Sequence, residues 1–176
     1  YSIATGDSSA EISLLEGNSG LKVVYYNQGD AAWKSIPYST STIGQSGCGP
    51  TSMAICISTL SGKKITPRQT CQWAGSQGYY VTGAGSKHDV IPGLAKKYGV
   101  KCKGVGKNKP QIIQALKTGK LVVAIMSAGH FTSGGHFIVL TGIKDGKITV
   151  ADCGSRQRTK QTWSLDLIVN ESNSSA

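Results

Sequence analysis

The chain is poor in acid. Nine Asp and Glu face nineteen Lys and Arg over 176 residues, a formal net charge of +10. Arginine is scarce as well, with only Arg68, Arg156 and Arg158. No Arg-rich run occurs, and no basic stretch is interleaved with aromatics, so specific recognition of nucleic acid is not expected. The lysines are scattered through Lys63-Lys64, Lys96-Lys97, Lys101, Lys103, Lys107 and Lys109. They read as a solvated surface drawn to anionic polymers, such as an acidic cell wall. No run approaches the ~20 apolar residues of a membrane helix. The three His and five Cys include no Cys-x-x-Cys and no zinc-site spacing, so neither a structural metal nor a cofactor is expected. Five thiols is an odd number, so at least one is unpaired if the others bridge. A Cys71–Cys102 disulfide stays open, although a chain of this size can bury a core without one. The length is that of one domain, expected as a monomeric unit of a larger protein. The opening Tyr1-Ser2-Ile3, without Met, reads as a mature fragment or excised domain from which any targeting segment has been removed.

Residues 1–20 are rich in Ser, Gly and acidic groups and read as an arm or linker, 21–169 as the domain, and 170–176 as a polar tail. Leu21 to Tyr26 reads as a strand and Gly29 to Gly47 as a loop. Pro50 fits a first helical turn, and Met53, Ala54, Ile57 and Leu60 then recur at helical spacing up to Gly62. Thr66-Pro67 opens a second helix to about Ala74. A Gly- and Tyr-rich loop follows over Gly75 to Gly85. A third helix is expected from Lys87 to Tyr98, and a fourth over Gln111 to Lys117. Strands are expected at Leu121 to Met126, His136 to Thr141, Lys147 to Ala151 and Thr162 to Val169, with a hairpin turn at Asp145-Gly146. Helices first and an antiparallel sheet after them indicate an α+β fold.

Two motifs carry chemistry. Cys48 lies in Gly47-Cys48-Gly49-Pro50, at the start of a helix. There the unpaired N–H groups favour a thiolate and could donate to an oxyanion, while Gly47 and Gly49 would let a substrate backbone approach. The ordinary alternative is a packed, inert thiol, which is the reading for Cys56. A thiol nucleophile needs a base. His88 reads as a capping or exposed residue. His130 sits in a Gly-rich loop, whereas His136 opens the apolar run Phe137-Ile138-Val139-Leu140, and a strand end holds a base more rigidly. The imidazole in turn needs an orienting partner. Asp152 lies sixteen residues on, with Asp166 in reserve. An ideal turn at Asp145-Gly146 would pair Val139 with Asp152, so the His136–Asp152 pairing requires a bulge or a wider turn. Gln28 or Gln45 could give a side-chain donor to the oxyanion, and spacing does not choose between them. Cys153, next to Asp152, either lines the site or fills it.

The runs Tyr26-Asn27-Gln28-Gly29-Asp30 with Trp33, Gly47-Cys48-Gly49-Pro50-Thr51-Ser52, Gly135-His136-Phe137-Ile138-Val139-Leu140 and Val150-Ala151-Asp152, together about 22–165, resemble the C39-like cysteine peptidases of the papain-like superfamily. The resemblance implies a papain-like fold, with the thiol on a central helix packed on an antiparallel sheet. It implies Cys48 as nucleophile, His136 as acid and base, Asp152 as orienter, and Gln28 as oxyanion donor ahead of Gln45. Tyr79, Tyr80 and Gly135 would border the substrate cleft together with Gly47 and Gly49. Where Cys153 follows Asp152, the family pattern would have Pro. The implied reaction is amide hydrolysis on peptidoglycan or other extracellular peptides, in a secreted or wall-associated bacterial setting. The alternatives are leader-peptide processing, transfer to an amine, and an inactive module that binds peptide or wall ligand.

Overall fold

The computed structural model describes residues 1–4 and 22–173. The fold is mixed α and β around one antiparallel sheet. Its strands are β1 (Ser2–Ala4), β6 (Lys101–Lys103), β7 (Leu121–Met126), β8 (His136–Lys144), β9 (Lys147–Ala151) and β10 (Thr162–Trp163), in the order β10-β9-β8-β7-β1-β6. Two small hairpins, β2 (Pro37–Tyr38) with β3 (Ser41–Thr42) and β4 (Tyr80–Val81) with β5 (Gly85–Ser86), lie among the helices. The helices are α1 (Ile43–Ser46), α2 (Cys48–Ser61), α3 (Pro67–Ser76), α4 (Val90–Lys97), α5 (Lys109–Lys117), α6 (Arg156–Thr159) and α7 (Leu165–Glu171).

Local chemistry explains the helix ends. Gly62 adopts the left-handed conformation that stops α2. Thr66 and Gln69 form a reciprocal capping box before Pro67 at the start of α3. Asn108 caps α5 through the Gln111 N–H. In α2 every residue from Gly49 to Ser58 is buried, so the helix is enclosed on all sides rather than along one stripe. It packs on β8, α3 and α4.

The sheet is covered on both faces. Phe137 and Val139 join the core around α2, and Ile138 and Leu140 join a second cluster with Ile112 and Leu116 of α5. This two-sided burial makes β7 and β8 continuous apolar runs.

The structure departs from the sequence expectations in several places. Ser2–Ala4, expected within an arm, is a strand of the sheet, where Ile3 faces Cys102 on one side and Leu121 on the other. The rest of the expected arm, with Leu21, lies outside the described residues, as do 174–176. Residues 22–27 form no strand. Instead they lie along the far half of α2, with the Val24 N–H on Thr59 and the Tyr26 hydroxyl on Ser58, so helix side chains take the place of a ladder partner. Only Thr162–Trp163 of the last expected strand pairs with β9, because Ser164 then caps α7 through the Leu167 N–H. Residues Asn170 and Glu171, expected in a tail, complete α7, and Ser172 bridges to Met126. All five cysteines are free thiols, including Cys71 and Cys102.

Candidate active site

Cys48 is the first residue of α2, after the N-cap Gly47. Its backbone N–H therefore has no acceptor within the helix. A Cβ at Gly47 would lie 2.7 Å from the Ile43 carbonyl oxygen, and one at Gly49 would lie 3.2 Å from Ser86 and 3.3 Å from Val90. Both glycines are buried. Their smallness serves the packing of the helix start. One turn on, the Ser52 hydroxyl donates to the Phe137 carbonyl at 3.2 Å and ties α2 to the start of β8.

His136 begins β8. The pairing of β8 with β9 is interrupted at Thr141. Gly142 faces Thr149, but Leu140 faces Val150 and Val139 faces Ala151. This is the irregularity that the sixteen-residue spacing requires. Continued by one residue, the register sets Asp152 opposite Ile138, on the strand face of His136. A one-residue slip would turn it to the other face. The Nε2 of His136 donates to Oδ1 of Asp152 at 2.6 Å. The Cys48 side chain lies close enough to the imidazole to help raise its pKa. The imidazole is thus bonded to the carboxylate, with the thiol beside it.

Asp152 is fully buried. Its Oδ1 also accepts the Gly154 N–H at 2.8 Å, and its Oδ2 accepts the Nε–H of Arg158 at 2.6 Å. The backbone is held as firmly: the Tyr25 hydroxyl donates to the Asp152 carbonyl at 2.6 Å and the Asp152 N–H donates to Thr159 at 2.9 Å. Burial alone would raise the carboxyl pKa. The hydrogen bonds from His136, Arg158 and Gly154, with the His136 charge, outweigh it and lower the value. For His136, burial opposes the charged form, but the bonds and charges of Asp152 and Cys48 prevail and lift its pKa to about 9.

Gln28 is buried beside the nucleophile loop. Its amide donates to the carbonyls of Ile43 at 3.3 Å and Gly44 at 3.1 Å, and its N–H donates to the Cys153 carbonyl at 2.8 Å. Gln45 is exposed on α1 and accepts a bond from Ser41 at 3.4 Å. The Cys153 thiol is buried, so its pKa is raised far above the ordinary value; it donates to Gln28 Oε1 at 3.3 Å. Tyr79 packs against Trp73 and Tyr80 against Tyr38, so both rings are engaged within the fold. Gly135 is exposed just before His136. His130 lies apart, paired with Glu171 at 2.6 Å on the surface. Asp166 is also exposed and pairs with Lys109.

Donor atoms of His136, Asp152 and Cys153 all lie within 4.8 Å of one another. The set suits a cation poorly: Arg158 already supplies positive charge to the carboxylate, and burial keeps the Cys153 thiol protonated.

Sequence reasoning missed Arg158, Gly154 and Tyr25. The only signal for the first was two of the three arginines falling just after Asp152. Gly154 has no room for a Cβ, which would lie 3.0 Å from the His136 ring.

A thiol at a helix start, beside an oriented imidazole, has the chemistry of a nucleophilic catalyst. Residues 20–174 match the model of the Peptidase_C39 like family, and the chain belongs to that family. No curated protein and no solved structure matches.

Proposed function

We propose that the protein is a cysteine peptidase of papain-like architecture that hydrolyses amide bonds through Cys48, His136 and Asp152. The observation that carries this reading is His136, hydrogen-bonded to the buried Asp152 at 2.6 Å and close to the Cys48 side chain at the start of α2. His136 takes the proton of the Cys48 thiol. The sulfur attacks the carbonyl carbon and forms a C–S bond. The Cys48 N–H and the Gln28 amide hold the oxyanion, and Gln28 gives up its long bond to Ile43 to do so. His136 passes its proton to the leaving nitrogen as the C–N bond breaks. Water then attacks the thioester and gives a proton to His136, and the thiolate is regenerated with release of a carboxylic acid.

The substrate class is peptide, and we favour peptidoglycan or extracellular peptides in a secreted or wall-associated bacterial setting. The net charge of +10 supports work near an anionic polymer. A groove of about 750 Å³ lined by Lys101, Lys103, Lys120, Gln111 and Gln114 offers a surface of that sign. None of these residues belongs to the Cys48 site, so the groove would hold a polymer rather than the cleaved bond.

The test is Cys48→Ala against purified peptidoglycan and a peptide library. Loss of cleavage with the fold retained supports the reading. Undiminished cleavage rejects it. If neither substrate is cut by the native protein, and iodoacetamide labels Cys48 no faster than the other thiols, an inactive binding module is the better description.

A further inference from the structure

Asp152 presents a problem of charge. Behind the Cys48–His136 pair, the fully buried carboxylate would leave one net negative charge, and unpaired buried charge is costly. The carboxylate would also hold the His136 proton more tightly than an acid catalyst should. Arg158 stands where it answers both difficulties. Its Nε–H meets Oδ2 at 2.6 Å, while Oδ1 keeps His136 and the Gly154 N–H. The side chain is 27% exposed and Asp152 is 0% exposed. The cation thus caps the carboxylate from the solvent side.

The loop that presents Arg158 is built for this. Asp152 to Thr159 closes on itself. Ser155 caps α6 by accepting the Arg158 N–H at 3.0 Å, and the Trp163 indole donates to the Arg158 carbonyl at 3.1 Å. Thr159 accepts the Asp152 N–H at 2.9 Å. Arg158 is therefore fixed at both ends of its own backbone. The neighbouring Arg156 turns outward and makes a bidentate pair with Asp30 on the surface. Two arginines two residues apart have separate tasks.

We propose that Arg158 is a positioning residue of this site, which locks the Asp152 carboxylate toward His136 and cancels its charge, leaving Cys48, His136, Asp152 and Arg158 electrically balanced. This rests on the catalytic reading of Cys48 and His136. The titratable and charged groups around His136 are Cys48 on α2, Asp152 and Cys153 beyond β9, and Arg158 on α6 behind Asp152.

The experiment follows the His136 ring resonances by NMR through a pH titration in the full chain and in Arg158→Gln and Arg158→Lys, with the urea midpoint of each recorded. Removal of the cation leaves Asp152 fully charged toward His136, and the titration midpoint should rise by about one pH unit in Arg158→Gln. Arg158→Lys should fall between Gln and native, because an ammonium keeps the charge without the planar fork. With a cleavable substrate, kcat should fall in the same order with KM little changed. A merely structural role would lower the urea midpoint and leave the His136 midpoint unmoved or lower it toward 6.5. Either result in a folded variant overturns the proposal. If Arg158→Gln does not fold, Arg158→Lys decides alone on the same criterion. Cys48→Ala keeping full cleavage would instead overturn the catalytic reading, whatever the Arg158 variants do.

Discussion

Replacing His136 with Gln should cost the protein stability by an amount that depends on pH in a definite direction. In the fold the imidazole is held by Asp152 and Cys48, and its pKa rises from the ordinary 6.5 to about 9. At ~1.4 kcal/mol per pH unit, that rise corresponds to about 3 kcal/mol of folding stability. The side chain is 11% exposed, so solvent screening removes little of it. Because the folded value lies above the unfolded one, the contribution is complete below pH 6.5 and disappears as pH rises through about 9. The lowered pKa of Asp152 reports partly the same interaction, so the two are not added. Urea denaturation of the native protein and of His136→Gln between pH 6 and 10, under reducing conditions, measures the gap between them. Tyrosines, lysines and other thiols titrate in both proteins and cancel. The gap should narrow by about 3 kcal/mol across this range. A gap that stays constant would show that the imidazole carries no extra proton affinity in the fold and would refute the ion-pair account.

Two further outcomes are expected from the geometry. Gln28→Ala should lower kcat by about 10²-fold if its amide serves the oxyanion, and Gln45→Ala should leave it unchanged; the reverse ranking in a peptide-cleavage assay would move the donor to α1. Gly49→Ala sets a Cβ 3.2 Å from Ser86 and 3.3 Å from Val90, so thermal denaturation should register a loss of about 1–3 kcal/mol. No loss would mean that α2 can shift away from β5 and α4.

Helix ends were legible where a side chain or glycine acts on its immediate neighbours. The Thr66 cap before Pro67 and the left-handed Gly62 are local devices, and sequence locates both helix ends within a residue or two. Short apolar segments were not legible. The run from Thr162 to Val169 reads as alternating, yet only two residues find a strand partner before Ser164 starts a helix. Val23 to Tyr26 has strand composition and no strand partner among the described residues. The Ser2–Ala4 strand was hidden by the polar residues that follow it, because three residues pair with partners a hundred positions away.

The sequence by itself determined the reacting types: a thiol at a helix start, an imidazole at a strand start and an acid sixteen residues later, each recognisable from its neighbours. It also determined the sign of the surface. Only tertiary structure decided which groups meet. The interruption at Thr141 sets Asp152 on the face of His136, α2 brings Cys48 to the imidazole, and the turn of α6 returns Arg158 to the carboxylate. The reason is physical. A cap or a turn is fixed by bonds within a few residues, whereas register and charge balance depend on surfaces that become neighbours only when the whole chain is packed.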